Sequence, residues 1–336
     1  MRIEQFRQRL YDHGAKPCHA ERVLRAWLQA RPLDSGPVPA DQYFPLPVRA
    51  ALPAIAADLA ALTRLRSEHA GADDSMRLLV DLSDGQAVES VLLPKDGVCV
   101  STQVGCAVGC VFCMTGQDGL LRQLDCMEIV AQVVLARTRR LVKRVVFMGM
   151  GEPAHNLDNV LAAIELLGTA GGIGHKNLVF STVGDRRVFE RLPLGTVKPA
   201  LALSLHSTDA ALRAQLLPKA PRIDPAELVE LGETYARATG YPIQYQWTLL
   251  DGVNDNAAEL DGLVHLLKGK YAVMNFIPYN AVGGLPFRRP ATERAAAMSL
   301  HLYRHGILTK LRQSAGQDID GGCGQLRARN GAQRIA

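Results

Sequence analysis

Three cysteines lie within one short, mostly apolar stretch, Cys106-Ala-Val-Gly-Cys110-Val-Phe-Cys113. Thiolates at this C-x3-C-x2-C spacing can each bind one iron of a [4Fe–4S] cluster, because sulfur ligands suit iron and one loop can wrap the cube. The fourth iron would then lack a protein ligand. A structural zinc site is the alternative, but it normally takes four protein ligands, and no further His or Cys lies close in sequence. Packing alone explains three such cysteines poorly. The spacing therefore favours the cluster.

The composition is that of a globular protein, with 48% hydrophobic and 21% charged residues in a chain of 336. The first ten residues are largely charged and polar, and no run of about 20 apolar residues follows, so we expect neither a signal peptide nor a membrane span, and a cytoplasmic location. Structural disulfides are rare in that compartment, which favours a metal-binding or catalytic role for the clustered cysteines. A net charge of +5 permits a polyanionic partner without requiring one. The densest basic run, residues 137–144, is equally compatible with a solvated helix face.

The hydrophobic pattern divides the chain into a helical beginning and a long β-α alternation. Residues 3–30 indicate two short helices broken near Gly14, and the proline-rich residues 31–53 indicate a loop. A β-hairpin is predicted over residues 76–93. Six strands then alternate with helices, and their predicted strand ranges are Val98–Val100, Val145–Met148, Leu178–Phe180, Leu201–Leu205, Ile243–Leu249 and Val273–Ile277. The clearest helices are Met127–Arg139, Leu157–Leu167, Pro225–Ala238 and Asn256–Leu267.

Strands with crossover helices predict a parallel α/β sheet, either open or curled into a partial barrel. The unusual polar and glycine-rich residues follow the ends of five of these strands: the cysteine loop, Gly149–Pro153, Ser181–Thr182, Ser204–His206 and Pro278–Asn280. Because the carboxyl ends of parallel strands meet at one rim, we expect these loops to form a single site.

The cysteine loop, with aromatic Phe112 before its last cysteine, resembles that of the radical SAM superfamily. Further motifs are similar to the RlmN/Cfr family of radical SAM RNA (adenine-C) methyltransferases over roughly residues 75–326: Cys99-Val-Ser-Thr-Gln-Val-Gly-Cys106, Met148-Gly-Met-Gly-Glu-Pro153, Ser204-Leu-His206 and Asp318-Ile-Asp-Gly-Gly-Cys-Gly-Gln-Leu326. The resemblance implies a partial (open) parallel (β/α)6 barrel, one [4Fe–4S] cluster bound by Cys106, Cys110 and Cys113, and S-adenosylmethionine chelated to the open iron. It also implies a radical route to the adenine carbon, because that carbon is too weakly nucleophilic to displace a methyl group from S-adenosylmethionine directly.

The resemblance further implies a division into four segments. Residues 1–70 would form a small helical accessory domain able to hold RNA, residues 71–95 a hairpin linker, residues 96–330 the radical SAM core and residues 331–336 a short tail. Only thirteen residues follow Cys323 (336 − 323), so the basic C-terminal extension common in the family is not expected.

The family pattern also implies individual roles. Cys323 would carry a methyl group as S-methylcysteine, Cys99 would resolve the protein–RNA adduct through a transient Cys99–Cys323 disulfide, and Glu89 would accept a proton. From the residues alone, an incidental thiol in a flexible glycine-rich turn is the favoured interpretation of Cys323, and an ordinary exposed strand residue is the alternative for Glu89. The positions implied to bind S-adenosylmethionine are Gly151, Glu152, Ser181, Ser204, Leu205, His206 and Asn280.

The expected function is methylation of C2 or C8 of an adenine in RNA, with 23S rRNA as the first candidate and tRNA as the second. The expected partners are RNA and an electron donor such as flavodoxin, without a membrane, and the protein is expected to be a monomer. Two alternatives stay open: a radical SAM enzyme acting on a substrate other than RNA, and a zinc-stabilised RNA-binding protein without catalysis.

Overall fold

The computed structural model describes residues 3–328, which are built around one sheet of ten strands. A separate pair of short strands, β5 and β6, lies beside it. Within the described residues the strands are β1 Thr63–Ala70, β2 Met76–Leu82, β3 Ala87–Leu93, β4 Gly97–Cys99, β5 Gln103–Gly105, β6 Leu120–Gln123, β7 Arg144–Phe147, β8 Leu178–Thr182, β9 Ala200–Ser204, β10 Ile243–Leu249, β11 Ala272–Pro278 and β12 Thr309–Leu311. The helices are α1 Ile3–Asp12, α2 Pro17–Leu28, α3 Ala40–Tyr43, α4 Leu46–Ala61, α5 Cys126–Arg137, α6 Leu157–Gly168, α7 Arg186–Arg191, α8 Ala210–Leu216, α9 Pro225–Thr239, α10 Ala257–Leu267 and α11 Thr292–Arg304.

The parallel part of the sheet has the strand order β4-β7-β8-β9-β10-β11-β12. All six predicted strands are present with ends shifted by at most two residues, so the predicted partial barrel of parallel strands is confirmed. Strand β12 adds a seventh parallel strand that the sequence pattern did not reveal, because only three residues pair. Sequential order with crossover helices is the arrangement expected of right-handed β-α units.

Strand β10 shows how the two faces of the barrel wall differ. Its residues alternate between buried and half-exposed, as a strand with one fully covered face requires. Tyr245 lies on the covered face, where its hydroxyl donates to the Val229 carbonyl oxygen of α9 at 3.4 Å. Gln244 and Gln246 therefore face the barrel interior, which is polar at this wall.

An antiparallel extension precedes the barrel in the order β1-β2-β3-β4. Strands β2 and β3 form the predicted hairpin, whereas β1 was not predicted, because its largely charged sequence has little apolar alternation. In the register of β3 with β4, Val91 lies opposite Cys99. Side chains two residues apart share a face, so Glu89, Val91 and Cys99 all point to the same side of the sheet.

The two predicted N-terminal helices are present as α1 and α2, separated at Gly14, which has φ +81°. The loop predicted over residues 31–53 is wrong in its second half, where α3 forms and α4 begins at Leu46. Pro47 lies in the first turn of α4, where its missing N–H costs no hydrogen bond, and Pro53 lies inside the helix. The buried apolar side chains of α4, such as Ile55, outweigh that interior proline.

The N-terminal helices and the barrel share one continuous hydrophobic cluster that runs from Phe6 through Trp27 to Phe276. The domain boundaries proposed from sequence stay a prediction, and the tail assigned to residues 331–336 lies outside the described residues. No helix within residues 3–328 is both long enough and apolar enough to cross a bilayer.

The basic run at residues 137–144 is occupied by contacts within the chain. Arg137 donates to the carbonyl oxygens of Leu28 and Gly171, and Arg139 and Arg140 pair with Glu68 and Asp74. These arginines tie α5 to neighbouring elements, which agrees with the structural interpretation of the run.

Candidate active site

The cysteine loop leaves β5, returns through β6 and packs at the carboxyl ends of the barrel strands. Gly105, at φ +78°, admits no side chain, because a Cβ there would lie 2.0 Å from the Gly119 carbonyl oxygen. The backbone N–H of Cys106 donates to the same oxygen at 2.9 Å. The three cysteines lie in a second hydrophobic cluster, beside Phe112, Leu217, Tyr279 and neighbouring residues. The loop is therefore held in an apolar environment by backbone contacts.

This environment opposes free thiolates. Burial raises the pKa of Cys106 to about 12 and raises the pKa of Cys110 and of Cys113, and each of the three cysteines lies in electrostatic range of at least one of the others. A metal centre would hold them deprotonated, because thiolate sulfur binds iron strongly. Among residues 3–328 no group of three His, Cys, Asp or Glu side chains converges as ligands of one ion do. A [4Fe–4S] cluster takes one thiolate per iron, so three cysteines of one loop that lie in electrostatic range of one another are a suitable donor set for it.

His206 packs against the cysteine loop from a position two residues after the end of β9. Its ring meets Phe112 edge to face with centroids 4.9 Å apart, and its φ of +62° turns the chain sharply at the strand end. Its Nδ1 accepts the backbone N–H of Thr248 at 3.0 Å, so the neutral ring carries its proton on Nε2. Burial, with a smaller contribution from Arg213, lowers the pKa of His206 to about 3, which keeps the ring neutral.

The glycine-rich loop after β7 brings its backbone close to two other strands. A Cβ on Gly149 would lie 2.7 Å from the Val100 carbonyl carbon, and Gly151, at φ +102°, would place one 2.6 Å from Gln103. The side chain of Gln103 accepts the backbone N–H of Glu152 at 2.7 Å. These contacts place Gly151 and Glu152 at the predicted rim. The close approach of the backbone at Gly149 and Gly151 leaves no room for a side chain at either position.

The carboxylate of Glu152 is fully buried at this rim. Its Oε1 accepts the N–H of Ala154 and its Oε2 the N–H of Val183, each at 3.0 Å. Burial raises the pKa of Glu152 to about 7, although hydrogen bonds from Thr182 and these backbone groups oppose the rise. A bound ammonium would favour the charged carboxylate here, as the methionyl amino group of S-adenosylmethionine could.

The other predicted cofactor positions occupy neighbouring strand ends. Ser181 and Ser204 are half-buried at the ends of β8 and β9, and register pairs Ser204 with Gln246 on the interior face. Leu205 is buried in the core, and its N–H donates to the Gln246 carbonyl oxygen. This hydrogen bond fixes the end of β9 against β10. Asn280 is buried, and its Oδ1 has no hydrogen-bond partner among the described residues. An orphaned acceptor at this rim fits a ligand that donates hydrogen bonds, such as S-adenosylmethionine with its amino and hydroxyl groups.

Asn280 also fixes the loop that carries Cys323. Its Nδ2 donates to the Cys323 carbonyl oxygen and to the Ser314 hydroxyl, each at 2.9 Å. The carbonyl oxygen of Gly324, the residue after Cys323, accepts the backbone N–H of Met114 in the cysteine loop at 2.8 Å. The Cys323 side chain is exposed, yet surrounding protein raises its pKa, while a hydrogen bond with Ser314 lowers it. Cys323 is thus a reachable thiol on an anchored loop.

Cys99 lies on the interior face of β4 as a buried free thiol. Burial raises its pKa, and the electrostatic effect of Cys323 raises it further, which places the two thiols in range of each other. Cys113 acts on Cys323 in the same way. The fold therefore brings Cys323 into electrostatic range both of Cys99 and of Cys113 in the cysteine loop, although Cys99 and Cys323 are far apart in the chain.

Glu89 is 1% exposed, so the interpretation of an ordinary exposed strand residue is wrong. Its Oε1 accepts from Arg77 at 2.6 Å, and its Oε2 accepts the backbone N–H groups of Arg327 and Ala328 at 2.8 and 3.0 Å. Arg327 in turn pairs with Asp118 of the cysteine loop. Glu89 therefore anchors the chain that follows Cys323.

Sequence reasoning missed two residues at this site, Arg77 and Arg213. Arg77 lies on the interior face of β2 and is the ion-pair partner of Glu89, a pairing that hairpin register alone could have indicated. Arg213 lies on α8 with 4% of its surface exposed, and its guanidinium reaches three strand-end carbonyl oxygens. No pattern in the sequence distinguishes it from an exposed helix arginine.

Comparison with known proteins agrees with this site. The profile of the Radical SAM superfamily matches residues 100–264. A probable RNA methyltransferase of Aromatoleum aromaticum is 75% identical over 98% of this chain and 93% of its own length, and one of Leptothrix cholodnii is 70% identical over 98% and 95%. A solved radical SAM methyltransferase from Sphaerobacter thermophilus is 34% identical, covers 98% of both chains and superposes with a TM-score of 0.85.

The barrel and its cysteine loop are those of a radical SAM enzyme. Within that superfamily, the chain belongs to the RlmN/Cfr family of S-adenosylmethionine-dependent methyltransferases. The alternative of a non-catalytic, zinc-stabilised protein is thereby set aside. The family implies a [4Fe–4S] cluster and S-adenosylmethionine, which Cys106, Cys110 and Cys113 and the polar rim described above would hold.

Proposed function

We propose that this protein methylates an sp² carbon, C2 or C8, of an adenine in RNA, with Cys323 as the methyl carrier. The observation that carries the proposal is that Cys323, a free thiol, lies in electrostatic range of a second free thiol, Cys99, and of Cys113 in the cysteine loop. A radical SAM enzyme acting directly on its substrate has no need of two further cysteines there. The probable RNA methyltransferases that are 70% and 75% identical to the chain support RNA as the substrate.

When bound, the cluster and S-adenosylmethionine supply a carbon radical able to take a hydrogen atom from an inert methyl group. The residues of the chain have other tasks. Cys323, exposed on its anchored loop, is proposed to receive a methyl group and present it to the base. Glu89 is proposed to accept the proton that the methylated carbon must lose, because its carboxylate shares the interior face with Cys99.

Cys99 is proposed to free the product. Addition of the carbon radical to the base leaves one unpaired electron, which would pass to the bound cluster when Glu89 takes the proton. Attack of the Cys99 thiolate on the Cys323 sulfur then forms the S–S bond and breaks the S–C bond. The electron pair remains on the methylene carbon, which takes a proton and becomes the methyl group. Cellular thiols then reduce the disulfide. Burial raises the pKa of Cys99, so this attack requires a base or loss of the apolar surroundings during turnover.

For the substrate RNA and the protein partners, we propose only classes of molecule and the segment that would hold the RNA. Residues 1–70 are proposed to hold the RNA, and the target adenine would leave its stack to enter the barrel. The candidates are 23S rRNA and then tRNA, with flavodoxin or a similar protein as electron donor and the enzyme acting as a monomer. Hydrogen-bonded arginines such as Arg137 are occupied within the protein, so the RNA contacts must come from other residues.

The decisive experiment is mass spectrometry of ribosomal and transfer RNA from a deletion strain and its parent. We expect one adenine to lose the mass of a CH₂ group in the deletion strain and to regain it when the wild-type gene is restored, but not with a Cys323→Ala gene. An unchanged RNA methylation pattern would refute RNA as the substrate. Deoxyadenosine formation with a peptide or small molecule would then favour the non-RNA alternative.

A further inference from the structure

Arg213 is a buried cation whose hydrogen bonds, among the described residues, go to backbone carbonyl oxygens. It lies on α8, where its Nε donates to the Leu205 carbonyl oxygen at 3.1 Å and its Nη2 to the carbonyl oxygens of Ser204, at 3.2 Å, and of Val183. Within residues 3–328 no carboxylate makes an ion pair with this guanidinium. Carbonyl dipoles solvate the cation but leave its net charge uncancelled.

The helix that carries Arg213 is fastened to the cysteine loop. The Val111 N–H donates to the Leu216 carbonyl oxygen at 3.1 Å, and the Lys219 N–H donates to the Val108 carbonyl oxygen at 3.2 Å. These two bonds hold α8 and the residues after it against the backbone between the first and last cluster cysteines. Arg213 is therefore part of the wall on which the cluster loop rests.

The titratable groups that face Arg213 come from four elements. Cys110 of the cluster loop and Glu152 of the glycine-rich loop favour the charged guanidinium, whereas Arg222, which follows α8, opposes it. His206 is neutral and contributes no charge. Burial lowers the pKa of Arg213 to about 10, so it stays positively charged at neutral pH.

A cluster bound by three thiolates would be a stronger counter-charge for this cation than Glu152, because burial holds the pKa of Glu152 at about 7. Thiolate ligands make such a centre negative, and one-electron reduction adds a further negative charge. A fixed positive charge nearby stabilises the reduced form more than the oxidised form. Across an effective dielectric constant of about 20, a unit charge within about 10 Å changes such an equilibrium by roughly tenfold.

We propose that Arg213 raises the reduction potential of the cluster that Cys106, Cys110 and Cys113 would bind, and so makes its reduction by a weak one-electron donor possible. Arg213 is a positioning and electrostatic residue, because it contacts backbone carbonyl groups and not the reacting atoms. The proposal depends on the cluster implied by the family but not on RNA as the substrate, so the two can fail separately.

The test is an EPR-monitored redox titration of anaerobically purified protein with its cluster, using dithionite as the one-electron reductant. Arg213→Gln should lower the ratio of reduced to oxidised cluster at a fixed potential about tenfold, which corresponds to a midpoint about 59 mV more negative for a one-electron couple. Arg213→Lys keeps the charge and should retain most of the wild-type ratio. Arg222→Gln removes an exposed positive charge nearby and should change the ratio little, because solvent screens it.

Iron and sulfide content, measured for every variant, separates a shifted potential from a lost cluster. Arg213→Gln with full iron content and an unchanged midpoint would overturn the proposal, as would Arg213→Lys with a midpoint as low as that of Arg213→Gln. If Arg213→Gln binds no iron, the lysine variant decides. A wild-type midpoint in that variant supports the charge effect, and a drop of about tenfold in the reduced fraction overturns it.

Discussion

Replacing His206 by asparagine should change how the stability of the protein depends on pH. The native ring is neutral, since burial lowers the pKa of His206 to about 3, whereas the unfolded residue titrates near 6.5. Below pH 6.5 the unfolded chain therefore binds a proton that the native state does not, and stability is lost as the pH falls. Asparagine tolerates the φ of +62° and can accept the Thr248 N–H, so the variant removes the titration with little other change.

The magnitude follows from the shift. Each pH unit below 6.5 costs about 1.4 kcal/mol, so at pH 5 the native protein has lost about 2 kcal/mol through His206. Glu152 acts in the opposite direction, because burial raises its pKa to about 7. Its contribution to the free energy of unfolding therefore falls as the pH rises from 4.5 to 7. Between pH 4.5 and 6.5 the two groups largely cancel. The difference between wild type and variant removes the Glu152 contribution, which both proteins share.

The assay is urea unfolding at pH 7.5 and pH 5, together with NMR of ¹⁵N-histidine-labelled protein. The free energy of unfolding of wild type relative to His206→Asn should fall by about 2 kcal/mol between the two pH values. The NMR signal that the variant lacks should stay that of a neutral ring with its proton on Nε2 at pH 5. A signal that titrates near pH 6.5, or a difference in stability that does not change with pH, would refute the neutral buried ring.

Further predictions concern the rim and the two thiols. Gly151→Ala should destabilise the protein by at least about 2 kcal/mol and abolish S-adenosylmethionine binding measured by calorimetry, because φ is +102° and a Cβ would lie 2.6 Å from a neighbouring side chain. Gly85→Ala, at φ +83° in open space, is the control and should lose only about 1 kcal/mol without affecting binding. Glu89→Gln should cost about 3 kcal/mol and increase hydrogen exchange in residues 324–328, because it removes a buried ion pair that anchors them; unchanged exchange would contradict the anchoring role. Cys99→Ala should accumulate a covalent protein–RNA adduct visible by gel electrophoresis, whereas Cys323→Ala should form none, and an adduct in the second variant would exclude Cys323 as the carrier.

Much of the fold followed from local patterns. Alternating apolar runs located six parallel strands to within two residues, because a strand buried between helices must carry a short apolar run. The short strand β12 and the polar edge strand β1 were not predicted, because a three-residue strand or a charged strand shows little hydrophobic periodicity. Proline composition misled the reading of residues 46–53, where tertiary burial of α4 prevailed over local propensity.

The candidate site was likewise predicted from the sequence only in part. Cysteine spacing alone indicated a cluster loop, and strand ends indicated a common rim, because both depend on residues that are close in sequence or on a general property of parallel sheets. The partners of Glu89 could not be foreseen, since the backbone groups it binds are 238 and 239 residues away. Resemblance to a family supplied its expected role but not Arg77.

The sequence by itself determined a loop of three thiols suited to an iron–sulfur cluster, because their spacing depends only on residues that are close in the chain. Only the tertiary structure decided that Cys99 and Cys323 lie in electrostatic range of each other, that the His206 ring is neutral, and that Arg213 is a buried cation on a helix bonded to the cysteine loop. Burial and electrostatic contact arise from segments distant in the chain, so no local pattern records them.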